Sequence, residues 1–273
     1  MPNRASILRV IPSGVAGKVK GIKAGPHGPG SPLFEAVALN SISDFERFRE
    51  DFLVADSADV VGATKVLNYA ESNVNAFITK LTPTATRTSA VRLSTSATNN
   101  VNVELVATSA MLLAEQHCWV EICFAPSRVT DLEITVGLVS SVLASAGDIL
   151  ADIDVPSLAG GIADAAVIGL DTAETLQVAA LVTRDGVTTR KVNLTSNGLG
   201  AANEFVIWRV ELRNGKAYAF VNGGKVAESV DNAVRTGQLL SPVFLFGTRA
   251  ASDLQIDVDY IEFGQERVAN TIA

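Results

Sequence analysis

Residues 205–229 read FVIWRVELRNGKAYAFVNGGKVAES, and residues 241–263 read SPVFLFGTRAASDLQIDVDYIEF. Val206, Trp208, Val210 and Leu212 alternate with Phe205, Ile207, Arg209 and Glu211. Strict alternation is the mark of a strand with one buried face. Asn214-Gly215 follows, a dipeptide suited to a type I′ hairpin turn, which needs positive φ at both central residues. Ala217–Val221 is then the returning strand, Asn222-Gly223-Gly224 a second turn, and Lys225–Glu228 a third strand.

This succession, an RVEL strand, a tight turn, a strand ending in VNG and a closing DYIEF strand, resembles the concanavalin A-like (laminin G-like) jelly roll. The resemblance covers about residues 45–265 and implies an all-β, two-sheet antiparallel sandwich. It implies no ligand, because the fold carries lectins, glycosidases, adhesion modules and virus-particle proteins alike.

Composition agrees with one sandwich. The chain has 273 residues, 48% of them hydrophobic, enough for a sizeable core. Its apolar residues are mostly Ala, Val, Leu and Ile, and Ser, Thr and Asn fill the gaps. We expect an extended Gly/Pro-rich basic arm and linker over 1–42, a jelly-roll domain over 43–268 and a short tail over 269–273. Further strands are expected at Leu33–Leu39, Val66–Tyr69, Ala76–Leu81, Ala90–Ser94, Val101–Val106, Met111–Phe124, Leu132–Ser140, Ala165–Leu170, Gln177–Thr183 and Thr188–Leu194. Asp44–Asp51 reads as a helical turn or the entry to the sandwich, and Ser141–Asp164 as a long loop.

The arm differs from the body. Residues 1–34 hold Arg4, Arg9, Lys18, Lys20 and Lys23 and no acid, so residues 35–273 carry 17 basic against 29 acidic side chains, a net of −12. Glycine and proline density denies the arm helix or central strand. Yet Ile7, Leu8, Val10 and Ile11 are more apolar than a linker needs. This pattern predicts an arm that settles on a partner surface. Five charges without interleaved aromatics are too few to favour nucleic acid.

No run of residues approaches a membrane span, and 1–17 lacks the apolar core of a secretory signal. Cys118 and Cys123 lie an odd number of positions apart on one expected strand, hence on opposite faces, and cannot bridge each other. A reduced chain made in a cytoplasm is expected, with Asn193-Leu194-Thr195 a chance sequon.

Chemistry-bearing patterns are sparse. Laminarinase-like glycosidases of the resembling fold use a Glu-x-Asp-x-x-Glu strand; here the nearest acidic strand, Asp257–Glu262, lacks its first glutamate. His27 and His117 stand apart from other metal-ligand types, no G-x-S-x-G elbow occurs, and Asp148, Asp152 and Asp154 read as a solvated loop rather than a calcium site. We therefore expect no catalytic residue, no metal, no cofactor and no enzyme activity. Trp208 alternates with core positions; Trp119 alternates with His117, Glu121 and Cys123 and is the candidate exposed aromatic.

In overall layout the chain resembles tailed-bacteriophage capsid decoration (cement) proteins. That resemblance implies a virion protein assembled in a bacterial host cytoplasm. It would dock on the major capsid protein or another virion protein through Arg4, Ile7, Leu8, Arg9, Val10, Ile11, Lys18, Lys20 and Lys23. It also implies a homo-oligomer, a trimer by analogy, with no nucleic acid or membrane partner. The alternative is a glycan-binding or receptor-binding module of a phage tail or fibre.

Overall fold

The computed structural model describes residues 45–50, 67–71, 77–81, 90–95, 97, 100–107, 112–140, 149–159, 161–173, 178–195 and 198–266, and every regular element among them is a strand. In chain order these are β1 (Phe45–Glu50), β2 (Leu67–Glu71), β3 (Phe77–Leu81), β4 (Ala90–Ser94), β5 (Val101–Ala107), β6 (Leu112–Leu113), β7 (Cys118–Pro126), β8 (Leu132–Val139) and β9 (Leu150–Asp152). There follow β10 (Ser157–Leu158), β11 (Asp164–Asp171), β12 (Ala180–Asp185), β13 (Thr189–Asn193), β14 (Val206–Arg213), β15 (Lys216–Val221), β16 (Gly224–Glu228), β17 (Leu239–Thr248) and β18 (Gln255–Glu266).

Two antiparallel sheets pack as a sandwich. The first runs β16-β15-β14-β7-β18-β4-β3, with β1 also paired to β18; the second runs β13-β12-β11-β8-β17-β5-β2, with β6 paired to β17. The order follows from the hairpins. Asn214 and Gly215 both have positive φ (52° and 74°), as do Asn222 and Gly223 (49° and 79°), so β14, β15 and β16 form a meander. Between the sheets lies one core. Val206, Trp208, Val210 and Leu212 of β14 face Phe244 and Phe246 of β17 within it. Phe124 sits at its centre, edge-on to Trp208 at 5.4 Å and tilted against Phe246 at 5.6 Å. The Trp208 indole N–H donates to the Gly198 carbonyl at 2.5 Å, so the buried ring keeps no orphan donor.

Three sequence expectations change. Of the two readings of Asp44–Asp51 the helical turn falls and the entry to the sandwich stands: Phe45–Glu50 is a strand in register with Ile261–Glu266. Met111–Phe124 is not one strand: Leu112 and Leu113 pair with β17, and a turn intervenes before β7 starts at Cys118. The 141–164 loop contains the small β9–β10 hairpin. Leu33–Leu39 and the arm lie outside the described residues.

Candidate functional site

Each sheet turns one face outward, and over the central strands, β7, β14 and β18 of the first sheet and β8, β11 and β17 of the second, that face is largely buried. On the first sheet, alternation puts Trp119, Glu121 and Cys123 of β7 opposite the core residues Cys118, Val120, Ile122 and Phe124. Arg209 and Glu211 of β14 lie beside them, Arg209 in register with Glu121 and Glu211 with Trp119. On β18 a bulge between Val258 and Tyr260 resets the alternation. Val258 and Ile261 therefore both reach the core while Tyr260 and Glu262 turn outward.

The outcome is a charged network across four strands. The Arg209 guanidinium pairs with Glu211, lies 3.8 Å from a Glu121 oxygen and stacks over the Phe220 ring at 5.6 Å. Tyr260 donates its hydroxyl to Glu121 at 2.7 Å. Glu262 is in register with Glu121. His117 Nε2 lies 3.8 Å from Glu211. Burial, then the nearby Arg213 and Arg209 charges, push the His117 pKa down to about 4. The imidazole is therefore neutral at pH 7 and its contact with Glu211 is not an ion pair.

The second sheet is closed differently. Ile149, Leu150, Ile153, Leu158 and Ile162, in and around the β9–β10 hairpin, form a second core with Val167, Val182, Val243 and Leu245 of the sheet's outer face. Gly169 makes room for this flap: a Cβ there would meet the Leu150 side chain at 1.9 Å. Lys191 ties the flap down by donating to the Ile153 and Asp154 carbonyls at 2.7 and 3.3 Å.

Beside the apolar seal lies a polar band. Arg249 bridges Glu133 at 2.6 Å and Asp171 at 2.9 Å. Glu104 of β5 and Thr135 of β8 flank Leu245 of β17. Both are buried, and their side-chain oxygens make no hydrogen bond among the described residues. Burial pushes the Glu104 carboxyl up to about 7. A carboxyl held there exchanges its proton near neutrality, the range suited to general acid or base work.

The structure brings some expected residues to these faces and not others. Trp119 does turn away from the core, but it is only 1% exposed, which corrects its reading as an exposed aromatic: alternation tells which way a side chain points, not what lies over it. Trp208, Cys118 and their core partners stand where alternation placed them, and both cysteines are free and buried. Asp257 is paired with Arg92 at 2.7 Å. Asp148, His27 and all nine arm residues, Arg4, Ile7, Leu8, Arg9, Val10, Ile11, Lys18, Lys20 and Lys23, lie outside the described residues. Among the described residues no group of three or more His, Cys, Asp or Glu is placed to hold a metal ion. The Arg209 network and the Glu133–Arg249–Asp171 bridge were missed from sequence. Their only signal was charge at alternate positions of central, otherwise apolar strands.

No protein-family model and no curated protein matches the sequence. Solved structures do match in fold. A protein of unknown function from Shewanella oneidensis MR-1 superposes with a TM-score of 0.55 at 16% identity, over 90% of this chain and 97% of that one. The carbohydrate recognition domain of Emp47p gives 0.52 at 13% identity, over 84% and 100%. LamA from Zobellia galactanivorans, in complex with laminaritriose and laminaritetraose, gives 0.52 at 8% identity, over 80% and 98%. The architecture is that of the concanavalin A-like lectin and glucanase jelly rolls.

These neighbours overturn one expectation. The missing Glu-x-Asp-x-x-Glu strand argues against enzyme activity, and that expectation is corrected. Matching structures also include endo-acting O-glycanases of the human gut microbiota, at a TM-score of 0.53 and 9% identity, so the fold is one that carries glycan-cleaving chemistry, and one missing spacing does not exclude it. At these identities the likeness extends to fold alone.

Proposed function

We propose that the chain is a structural component of a virus particle, a capsid decoration protein of a tailed bacteriophage, with the jelly roll as its body and residues 1–42 as its docking arm. The observation that supports this reading is the burial of the outward faces of the central strands in both sheets. Trp119, Glu121, Arg209, Glu211 and Glu262 point away from the core yet are buried, and the flap seals the other face. A body closed in this way suits a building block. Contact with another protein then falls to the sandwich ends and to the arm, whose basic and apolar residues match an acidic protein surface with apolar seats. The partner in this reading is the major capsid protein or another virion protein.

A second reading, a glycan-binding or receptor-binding module of a tail or fibre, is favoured by Phe205. It is 43% exposed, immediately before β14, and offers a ring on which a sugar can stack. The likeness to the Emp47p carbohydrate recognition domain fits the same reading. One pair of experiments separates them. Negative-stain imaging of the purified protein mixed with bare phage shells should show added density on the shell lattice. A glycan array probed with the protein and with Phe205→Ala should show no Phe205-dependent signal. Bare shells that stay bare, together with a glycan signal lost in Phe205→Ala, would replace the first reading with the second.

A further inference from the structure

The hairpin turns of the two sheets hold three pairs in which an acid or amide side chain precedes a glycine: Asp185-Gly186, Asn214-Gly215 and Asn222-Gly223. They share a latent chemistry. Glycine has no Cβ to crowd its nitrogen, so that nitrogen can attack the side-chain carbonyl carbon of the residue before it. The fold treats the three pairs differently.

Asp185-Gly186 is closed twice. The Gly186 N–H donates to the Ala163 carbonyl at 2.8 Å, which engages the nitrogen. The Asp185 carboxylate accepts from the Thr188 N–H at 2.9 Å and from Arg190 at 2.7 Å. Those two bonds hold its pKa below the ordinary value and keep it ionised, and an ionised carboxylate resists attack by a nucleophile.

Asn222-Gly223 is closed at the side chain. Asn222 Oδ1 accepts from the Ile207 N–H at 2.9 Å, and the Asn222 N–H donates to the Ile207 carbonyl at 2.9 Å. These bonds fasten the residue to β14. Its amide swings over the Gly223 nitrogen only after the bond to Oδ1 breaks.

Asn214-Gly215 is open. Both residues are exposed. Among the described residues, neither the Asn214 side chain nor the peptide unit joining it to Gly215 makes a hydrogen bond. The contacts that hold this turn lie to either side. Arg213 is in register with Lys216, and the Gly215 carbonyl accepts from the Ala233 N–H at 2.9 Å. A Cβ on Gly215 would find only the Asn232 nitrogen within 4 Å, at 3.7 Å, so the surroundings leave room for the amide to move.

We propose that Asn214 is a site of spontaneous covalent modification, at which the chain converts its own amide to aspartate and isoaspartate with water as the only co-reactant. The Gly215 nitrogen gives up its proton to solvent hydroxide and bonds to Asn214 Cγ. The Cγ–amide nitrogen bond breaks, ammonia leaves, and a five-membered succinimide closes. Water then opens the ring. Cleavage at Cγ restores an ordinary main chain with an aspartate. Cleavage at the main-chain carbonyl gives isoaspartate, whose main chain runs through Cβ and Cγ. Either product adds one negative charge to the chain. Isoaspartate also adds a main-chain carbon to a two-residue turn whose type I′ geometry sets the β14–β15 register. None of this rests on the capsid reading.

The test is peptide mapping by mass spectrometry of the full-length chain, aged in neutral and in mildly alkaline buffer, with and without urea. The readout is acid formed at each of the three positions. Because the clamp on Asn222 must open before reaction, Asn214 in the folded chain should convert at least about tenfold faster than Asn222. Asp185 should show no isoaspartate, and alkaline buffer should speed conversion at Asn214. In urea, where the clamp is gone, Asn214 and Asn222 should convert at similar rates. Asn214→Gly keeps a turn suited to type I′, because Gly-Gly also accepts positive φ at both positions. The aged parent should melt lower than the fresh one, and Asn214→Gly should remove that loss. An unconverted Asn214 overturns the proposal, as does an Asn222 that converts as fast in the folded chain. The same ratio with and without urea would also overturn it, because the difference would then come from the sequence and not from the fold. Equal loss of melting temperature in the parent and in Asn214→Gly would show that the turn does not feel the change.

Discussion

Glu104 and His117 oppose each other in pH. Glu104 has its folded pKa raised from 4.5 to about 7, so the folded state holds a proton that the unfolded state has released. Its contribution is fully present below pH 4.5 and is lost as pH rises to about 7. His117 has its folded pKa lowered from 6.5 to about 4, so the unfolded state takes up a proton that the folded state refuses. Its contribution is present above pH 6.5 and is lost as pH falls to about 4. Each shift corresponds to about 3 kcal/mol. The slopes cancel over much of pH 4.5–6.5, and the parent should show little change in stability there. Glu104→Gln removes the falling limb, so its stability should climb with pH across that window by up to about 3 kcal/mol. His117→Gln should instead lose stability as pH rises. Urea melts at half-unit pH steps check both, and parallel profiles for the parent and Glu104→Gln would refute the assignment.

Among the elements, turns and close approaches set the sharpest constraints. Gly215 has φ +74°, a conformation that strains a β-branched side chain. Gly215→Val should lower stability by about 1–2 kcal/mol, read as a fall in melting temperature. Gly137 of β8 is stricter in another way: a Cβ there would lie 2.3 Å from the Ala166 carbonyl oxygen and 2.6 Å from the Val167 Cα. These are backbone atoms of the paired strand β11 and cannot swing aside. Gly137→Ala should therefore cost about 3 kcal/mol or more, against less for Gly169→Ala, where a flexible Leu150 side chain can yield. Comparing the two melting curves tests that ranking. The same elements show what a sequence can and cannot disclose. β14, β15 and β16 were legible because Asn-Gly turns and alternation are local signals. The break between Leu113 and Cys118 was not, because Ala114–His117 contains no glycine or proline and apolar residues run on both sides of it. The flap was read as a loop because its pairing spans three residues on one side and two on the other. Burial of Trp119 and of the Arg209 network depends on what lies over a sheet face, a long-range matter that alternation does not encode.

At the scale of the whole molecule, the arm and the body should be separable. Among the described residues the first strand is Phe45–Glu50 and the core cluster draws on Val91 to Phe263, so the sandwich core is assembled from residues C-terminal to the arm. The truncated chain is expected to keep the parent's melting curve. Docking should behave otherwise. Exposed ion pairs contribute only about 0–1 kcal/mol each, whereas buried apolar area contributes about 25 cal/mol per Å². Ile7, Leu8, Val10 and Ile11 should then carry more of the binding than Arg4, Arg9, Lys18, Lys20 and Lys23. High salt should weaken retention on shells in part, while the deletion should abolish it. Co-sedimentation with bare shells at low and high salt measures both effects. A truncated chain that still binds like the parent would remove the arm from the docking site. One that no longer melts cooperatively would show that residues 1–33 belong to the body. Retention lost entirely in high salt would make the arm an electrostatic tether, not an apolar anchor.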